Sequence, residues 1–145
     1  MSYWDTSALS KLYLPEADSA GFVQKAANNP VIVTTRLALY EMRRVAFRKD
    51  ISGFIQAGTA ESVLTQLNQD IAAGLIRVVE MDARVEADFN VIMATCYRHA
   101  PPMPIRTLDA LHLASSRADG QTELVATDKR LRDAAKLLGF SLFPP

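Results

Sequence analysis

Short runs of β-branched or apolar residues alternate along this chain with longer stretches of helical period, and that alternation constrains the fold more than any other feature. The runs are Tyr3-Trp4, Val31-Ile32-Val33, Ile76-Arg77-Val78-Val79, Leu124-Val125-Ala126 and Ser141-Leu142-Phe143, each with the length and composition of a strand. Between them the spacing predicts helices near Asp18–Asn28, Thr35–Lys49, Thr59–Ala73, Ala83–His99, Thr107–Ala118 and Lys129–Leu138, with a short one after Asp5. Strands separated by helices rather than hairpin turns imply an α/β fold. Its central sheet should be mainly parallel, with helices on both faces.

The punctuation agrees. Pro30 precedes a strand, Pro101-Pro102 with Pro104 interrupts the chain between two helices, and Gly139 follows the last helix where a left-handed cap is expected. No repeat, linker or shift of composition divides the chain, so a single domain spanning 1–145 is expected, and 145 residues suffice to bury a core without disulfides. A hydrophobic share of 49% with 22% charged residues excludes a disordered or fibrous chain. The lone Cys96 lies in an apolar helical stretch and predicts a buried thiol in a reducing compartment. Only Ser2, Tyr3 and Trp4 separate the first residue from Asp5, too few for a signal peptide, and no apolar run has membrane-spanning length. A soluble, cytoplasmic protein without a membrane partner is therefore expected. The segment around Ile51 to Gly74 is the one expected to form an inserted hairpin or interaction element.

Four carboxylates stand out, and each has an ordinary explanation. Asp5 and Asp128 follow short apolar strands, at the carboxyl ends where open α/β sheets build their ligand sites; Asp ahead of a helix is equally a favoured N-cap. Asp109 lies in the first turn of a helix, where the dipole favours negative charge, yet Leu108-Asp109-Ala110-Leu111-His112-Leu113-Ala114 is apolar enough to run through the interior. Glu41 shares a helical stripe with Leu37 and Val45, a stripe expected to face the core. A carboxylate there must pair with a base such as Arg44 or face a polar site.

Taken together, carboxylates from separate elements can converge on one cleft, and so much negative charge calls for cations. Hard oxygen ligands with no cysteine or histidine companion suit Mg2+ or Mn2+ better than zinc. Such an ion stabilises charge on an attacked phosphate and activates water as the nucleophile, so no side-chain nucleophile is needed. Thr6, Ser7 and Thr127 are supporting candidates that would orient the carboxylates or hold water, although hydroxyls beside helix starts also serve as caps.

The motifs in order are Tyr3-Trp4-Asp5-Thr6-Ser7-Ala8-Leu9, Lys11-Leu12-Tyr13, Ala38-Leu39-Tyr40-Glu41, Arg106-Thr107-Leu108-Asp109-Ala110-Leu111-His112-Leu113-Ala114 and Val125-Ala126-Thr127-Asp128-Lys129-Arg130-Leu131. In this order they resemble a PIN domain, specifically a VapC-like toxin ribonuclease of a type II toxin-antitoxin system, over essentially the whole chain. The resemblance implies a PIN-like three-layer fold with a sheet of about five strands. It further implies a ribonuclease using Mg2+ or Mn2+, with Asp5, Glu41 and Asp109 as the core acidic residues and Asp128 as the fourth. A cognate VapB-like antitoxin that blocks the site, and a homodimer, are implied with it. The departures, polar Ser2 and bulky Trp4 in the first strand, touch no catalytic position.

A formal net charge of zero means that RNA affinity must come from local clustering of bases. Arg43, Arg44, Arg48 and Lys49, Arg106, and Lys129 with Arg130 are candidates for the RNA backbone, which gives affinity without reading sequence. Arg106 and Arg44 are preferred as contacts to RNA or antitoxin. His112, one turn after Asp109, is expected to be a packed, hydrogen-bonded histidine rather than a general base, and Glu80 and Asp82 are left outside the site.

Two rival classes remain open. A catalytically silent PIN-fold binding module would use the acidic cleft only to receive a partner's arginine. A phosphoacceptor domain would form an aspartyl phosphate; its phosphatase form needs a second aspartate two residues after Asp5, where Ser7 stands. A dinucleotide-binding dehydrogenase is excluded, because no Gly-x-Gly-x-x-Gly turn follows the first strand.

Overall fold

Successive residues of a strand point to opposite faces of a sheet, and this period sorts the core into two layers. The computed structural model describes all 145 residues. In chain order the elements are β1 (Ser2–Trp4), α1 (Thr6–Tyr13), α2 (Ser19–Ala27), β2 (Ile32–Thr35), α3 (Arg36–Ile51), α4 (Ala60–Ala72), β3 (Ile76–Val79), α5 (Ala83–Arg98), α6 (Thr107–Ala118), β4 (Glu123–Val125), α7 (Lys129–Leu137) and β5 (Ser141–Phe143). Tyr3, Val33 and Leu124 pack with Val85, Ile92 and Cys96 of α5, Leu113 of α6 and Leu131 of α7. Trp4, Ile32 and Val125, one residue out of phase, pack on the other face with Leu9 of α1, Phe22 of α2, Met42 of α3 and Leu67 of α4. The result is helix, sheet, helix in three layers.

All five strands are parallel, in the order β3-β2-β1-β4-β5. The chain builds outward from β1 to β2 and β3, then crosses back through α5 and α6 to β4 and β5. The strand order therefore reverses between β1 and β4, and the crevice beyond their carboxyl ends is the natural ligand site of such a sheet. β1 and β2 are buried throughout while the edge strands β3 and β5 are partly open, as expected of a sheet covered on both faces.

The elements read from the sequence are all present, with ends moved by a residue or two. β2 runs on to Thr35 because its β-branched threonines continue the ladder against β3, and Thr34 Oγ1 donates to the Trp4 carbonyl at 2.8 Å. Cys96 is buried, and Gly139 (φ +86°) adopts the left-handed turn expected after α7. No helix is long and apolar enough to cross a membrane. One expectation needs correcting: the segment from Ile51 to Gly74 is not an insertion. Leu67 of α4 belongs to the central cluster, and Ala60 and Leu64 close a smaller one with Leu14 and Ala46. The pattern of polar residues on the outer side of α4 conceals this role.

Candidate functional site

β1 ends at Trp4, and Asp5 immediately caps α1, accepting from the Ala8 amide at 2.9 Å. The Ser7 hydroxyl reaches both Asp5 carboxylate oxygens at 2.7 Å and itself accepts from the Thr127 amide at 3.0 Å, tying the end of β1 to the loop after β4. Asp5 is only 4% exposed. Burial pushes its carboxyl above the ordinary range, although nearby His112 and the bonds from Ala8 and Ser7 oppose the shift.

Asp128 caps α7 in the same manner, one oxygen accepting from the amides of Arg130 and Leu131 at 2.9 and 3.1 Å. Asp109 projects from the first turn of α6 and is buried. Glu41 comes from α3, where the buried stripe is Ala38, Met42 and Ala46; Leu37 and Val45 are only half-buried. The stripe containing Glu41 is thus the edge of the helix contact rather than its centre, which lets the carboxylate meet the crevice. Its Oε1 accepts from Thr6 Oγ1 at 2.7 Å and lies 2.6 Å from His112 Nε2. Burial pushes the Glu41 carboxyl up, but the hydrogen bonds from His112 and Thr6, with the charges of His112 and Arg44, outweigh it and hold the group below the usual carboxylate range.

Asp5, Glu41, Asp109 and Asp128, with Thr6, Ser7 and Thr127, line a single cleft of about 320 Å³. The cleft is not purely acidic. Arg106 on its rim bonds Asp109 through Nε at 2.9 Å and Asp128 at 3.2 Å. Lys11, Arg48 and Lys49, with Glu16 between the two lysines, form a basic wall of the same cleft. Arg44 is exposed on α3 and is not part of the cleft lining; it forms no ion pair with Glu41, whose carboxylate instead meets His112 and Thr6, although its charge helps to lower the Glu41 carboxyl. Glu80 pairs with Arg36 and Asp82 caps α5, both outside the cleft as expected.

The sequence profile of the PIN domain matches residues 2–137. The chain belongs to the PIN domain family. Along its whole length this PIN domain resembles Ribonuclease VapC46 of Mycobacterium tuberculosis, with 29% identity over 150 residues covering 99% of this chain and 96% of that protein. Solved structures share its fold. FitAcB of Neisseria gonorrhoeae has a TM-score of 0.73 and 17% identity, covering 99% of this chain and 96% of that one. The sarcin-ricin loop cleaving toxin VapC20 of M. tuberculosis has 0.68 and 20%, covering 92% and 95%. A toxin-antitoxin complex from Klebsiella pneumoniae has 0.60 and 13%, covering 88% and 87%.

The donor chemistry of this PIN domain suits a hard divalent cation. Glu41 Oε2 and Asp109 Oδ1 accept no protein hydrogen bond, and Asp5 Oδ2 accepts only from Ser7. The carboxylates nevertheless rim the cleft rather than close on a point, since no three Asp, Glu, His or Cys side chains stand at ligating spacing. Were an ion to take Asp109 and Asp128, Arg106 would have to give up its pairs with them; the Asp128 pair is exposed on both sides and contributes little, whereas the Asp109 side chain is only 12% exposed. Two features escaped the sequence reading: the contact of His112 with Glu41, and the Lys11–Glu16–Lys49 arrangement on the basic wall. The first had a signal in the spacing of Asp109 and His112 on one helix, whereas the second joins residues whose separation along the chain carries none.

Proposed function

We propose that this chain is a VapC-like endoribonuclease, one domain spanning 1–145, that hydrolyses RNA phosphodiester bonds with Mg2+ or Mn2+. Asp5, Glu41 and Asp109 hold the cation, with Asp128 as the fourth carboxylate. The observation that carries this reading is the meeting of four carboxylates from four separate elements in one cleft of a PIN fold, at the carboxyl ends of β1 and β4. The names of VapC46, a ribonuclease, and VapC20, a toxin that cleaves the sarcin-ricin loop, support RNA as the substrate.

A divalent ion in such a set supplies charge for the phosphate under attack and lowers the pKa of water. The chain's own residues do the rest. The α1 amide and Ser7 hold Asp5 in one orientation, and Thr6 and His112 hold Glu41. Arg48, exposed at the cleft, is suited to a flanking phosphate, a contact that steers and anchors a polyanion without reading its bases. A cognate VapB-like antitoxin is the proposed inhibitor, in keeping with the Klebsiella complex of the same fold. Homodimerisation and action in the cytoplasm complete the proposal.

The test is cleavage of RNA by the purified chain with Mn2+ or Mg2+, with EDTA, and by Asp5→Asn. Asparagine is as good an N-cap as aspartate, so the variant folds. Losing one anionic ligand should slow cleavage by about a hundredfold or more, and EDTA should abolish it. Cutting that persists in both controls defeats the mechanism. The silent binding module draws on Arg106, which already occupies two of the carboxylates; it predicts no cleavage with either metal.

A further inference from the structure

We infer that His112, oriented by Tyr3, is a positioning residue that sets the Glu41 carboxylate for cation binding. The inference rests on the reading of Glu41 as a ligand and concerns how that ligand is held. The His112 ring is 3% exposed and stands between two partners, Tyr3 Oη 2.8 Å from Nδ1 and Glu41 Oε1 2.6 Å from Nε2. A carboxylate offers only lone pairs, so Nε2 must carry the proton in that bond. In the neutral ring Nδ1 is then an acceptor and the Tyr3 hydroxyl donates to it. Tyr3 thereby selects the tautomer that presents N–H to Glu41.

Two donors, His112 Nε2 and Thr6 Oγ1, converge on the same oxygen of Glu41 and leave Oε2 without a protein partner. A glutamate side chain loses rotamer freedom when it binds an ion, and holding it beforehand removes part of that cost. The anchor is rigid at both ends. Tyr3 lies fully buried in the central strand β1, with its ring edge-to-face against His112, and His112 sits three residues after Asp109 on the buried helix α6. One helix thus contributes a candidate ligand and the group that orients another.

A histidine that only fills space predicts a different outcome from one that orients Glu41. Mn2+ affinity, read from the free-ion paramagnetic resonance signal, should be measured with the melting temperature for wild type, His112→Ala, His112→Gln, Tyr3→Phe and Glu41→Gln. Loss of a group that hydrogen-bonds a ligand costs about 10–100-fold in metal affinity, and that loss is expected for His112→Ala. His112→Gln, which restores an N–H donor, should recover most of the affinity, and Tyr3→Phe should weaken binding by a smaller factor. Wild-type affinity in His112→Ala overturns the inference, as does His112→Gln binding no better than His112→Ala. If His112→Ala does not fold, Tyr3→Phe and His112→Gln decide: weakening in the first with recovery in the second supports the inference, and unchanged binding in Tyr3→Phe overturns it. Glu41→Gln separates the two levels. Unchanged Mn2+ affinity in that variant removes Glu41 from the ligand set, whereas weakened affinity beside wild-type behaviour of the His112 variants defeats only the positioning role.

Discussion

Glu16 stands between two lysines at the basic side of the cleft, one oxygen 2.8 Å from Lys11 and the other 2.6 Å from Lys49. Those hydrogen bonds bring its carboxyl down to about 2. A carboxyl depressed in the folded state stabilises the fold above its ordinary pKa, and the contribution is lost as pH falls through the folded value. Glu16 therefore stabilises fully above pH about 4.5 and progressively less down to about 2. Glu16→Gln should flatten the fall in stability across that window, as followed by circular dichroism during denaturant titrations at several pH values. An unchanged slope refutes the assignment. At this same scale Asp5 and Asp128 were legible in the sequence, because the position that caps a helix after a strand also faces the crevice. The partner of Glu41 was not, since it comes from a helix 71 residues away, whereas Arg44, close in sequence, forms no ion pair with it.

The helix starts serve two purposes, and substitution separates them. The Asp128 carboxylate satisfies two amides of α7 and also meets Arg106 at the cleft. Asparagine retains the cap while removing the charge, whereas alanine removes both, at a cost of about 1 kcal/mol. Asp128→Asn should therefore melt close to wild type and Asp128→Ala several degrees lower, while both bind Mn2+ more weakly. Equal melting of the two variants excludes the capping role, and wild-type Mn2+ affinity in both excludes the ligand role. Helix α3 shows where periodicity falls short. Leu37, Glu41 and Val45 do form a stripe, yet the core selects the neighbouring stripe of Ala38, Met42 and Ala46, all fully buried. Pattern locates the stripes, and packing chooses between them.

Across the whole molecule a net charge of zero hides a segregation that matters for substrate binding. Carboxylates gather beyond β1 and β4, and Lys11, Arg48 and Lys49 gather around Glu16 in the same cleft. Lys11 and Lys49 are already paired, whereas Arg48 is exposed on the cleft rim. Arg48→Ala should reduce the dependence of RNA affinity on salt, lowering the slope of log K against log salt by about one. An unchanged slope in filter binding across a salt series removes Arg48 from the phosphate path. By itself the sequence determined the alternation of strand and helix, hence the parallel three-layer sheet, because those patterns depend on near neighbours along the chain. It also placed Asp5 and Asp128 at strand ends. Only the tertiary structure decided that His112 meets Glu41, that Arg106 bridges Asp109 and Asp128, and that α4 belongs to the core. Those pairings follow from how helices cross the sheet, and the crossing is set by the packing of side chains from distant segments, which no local period records.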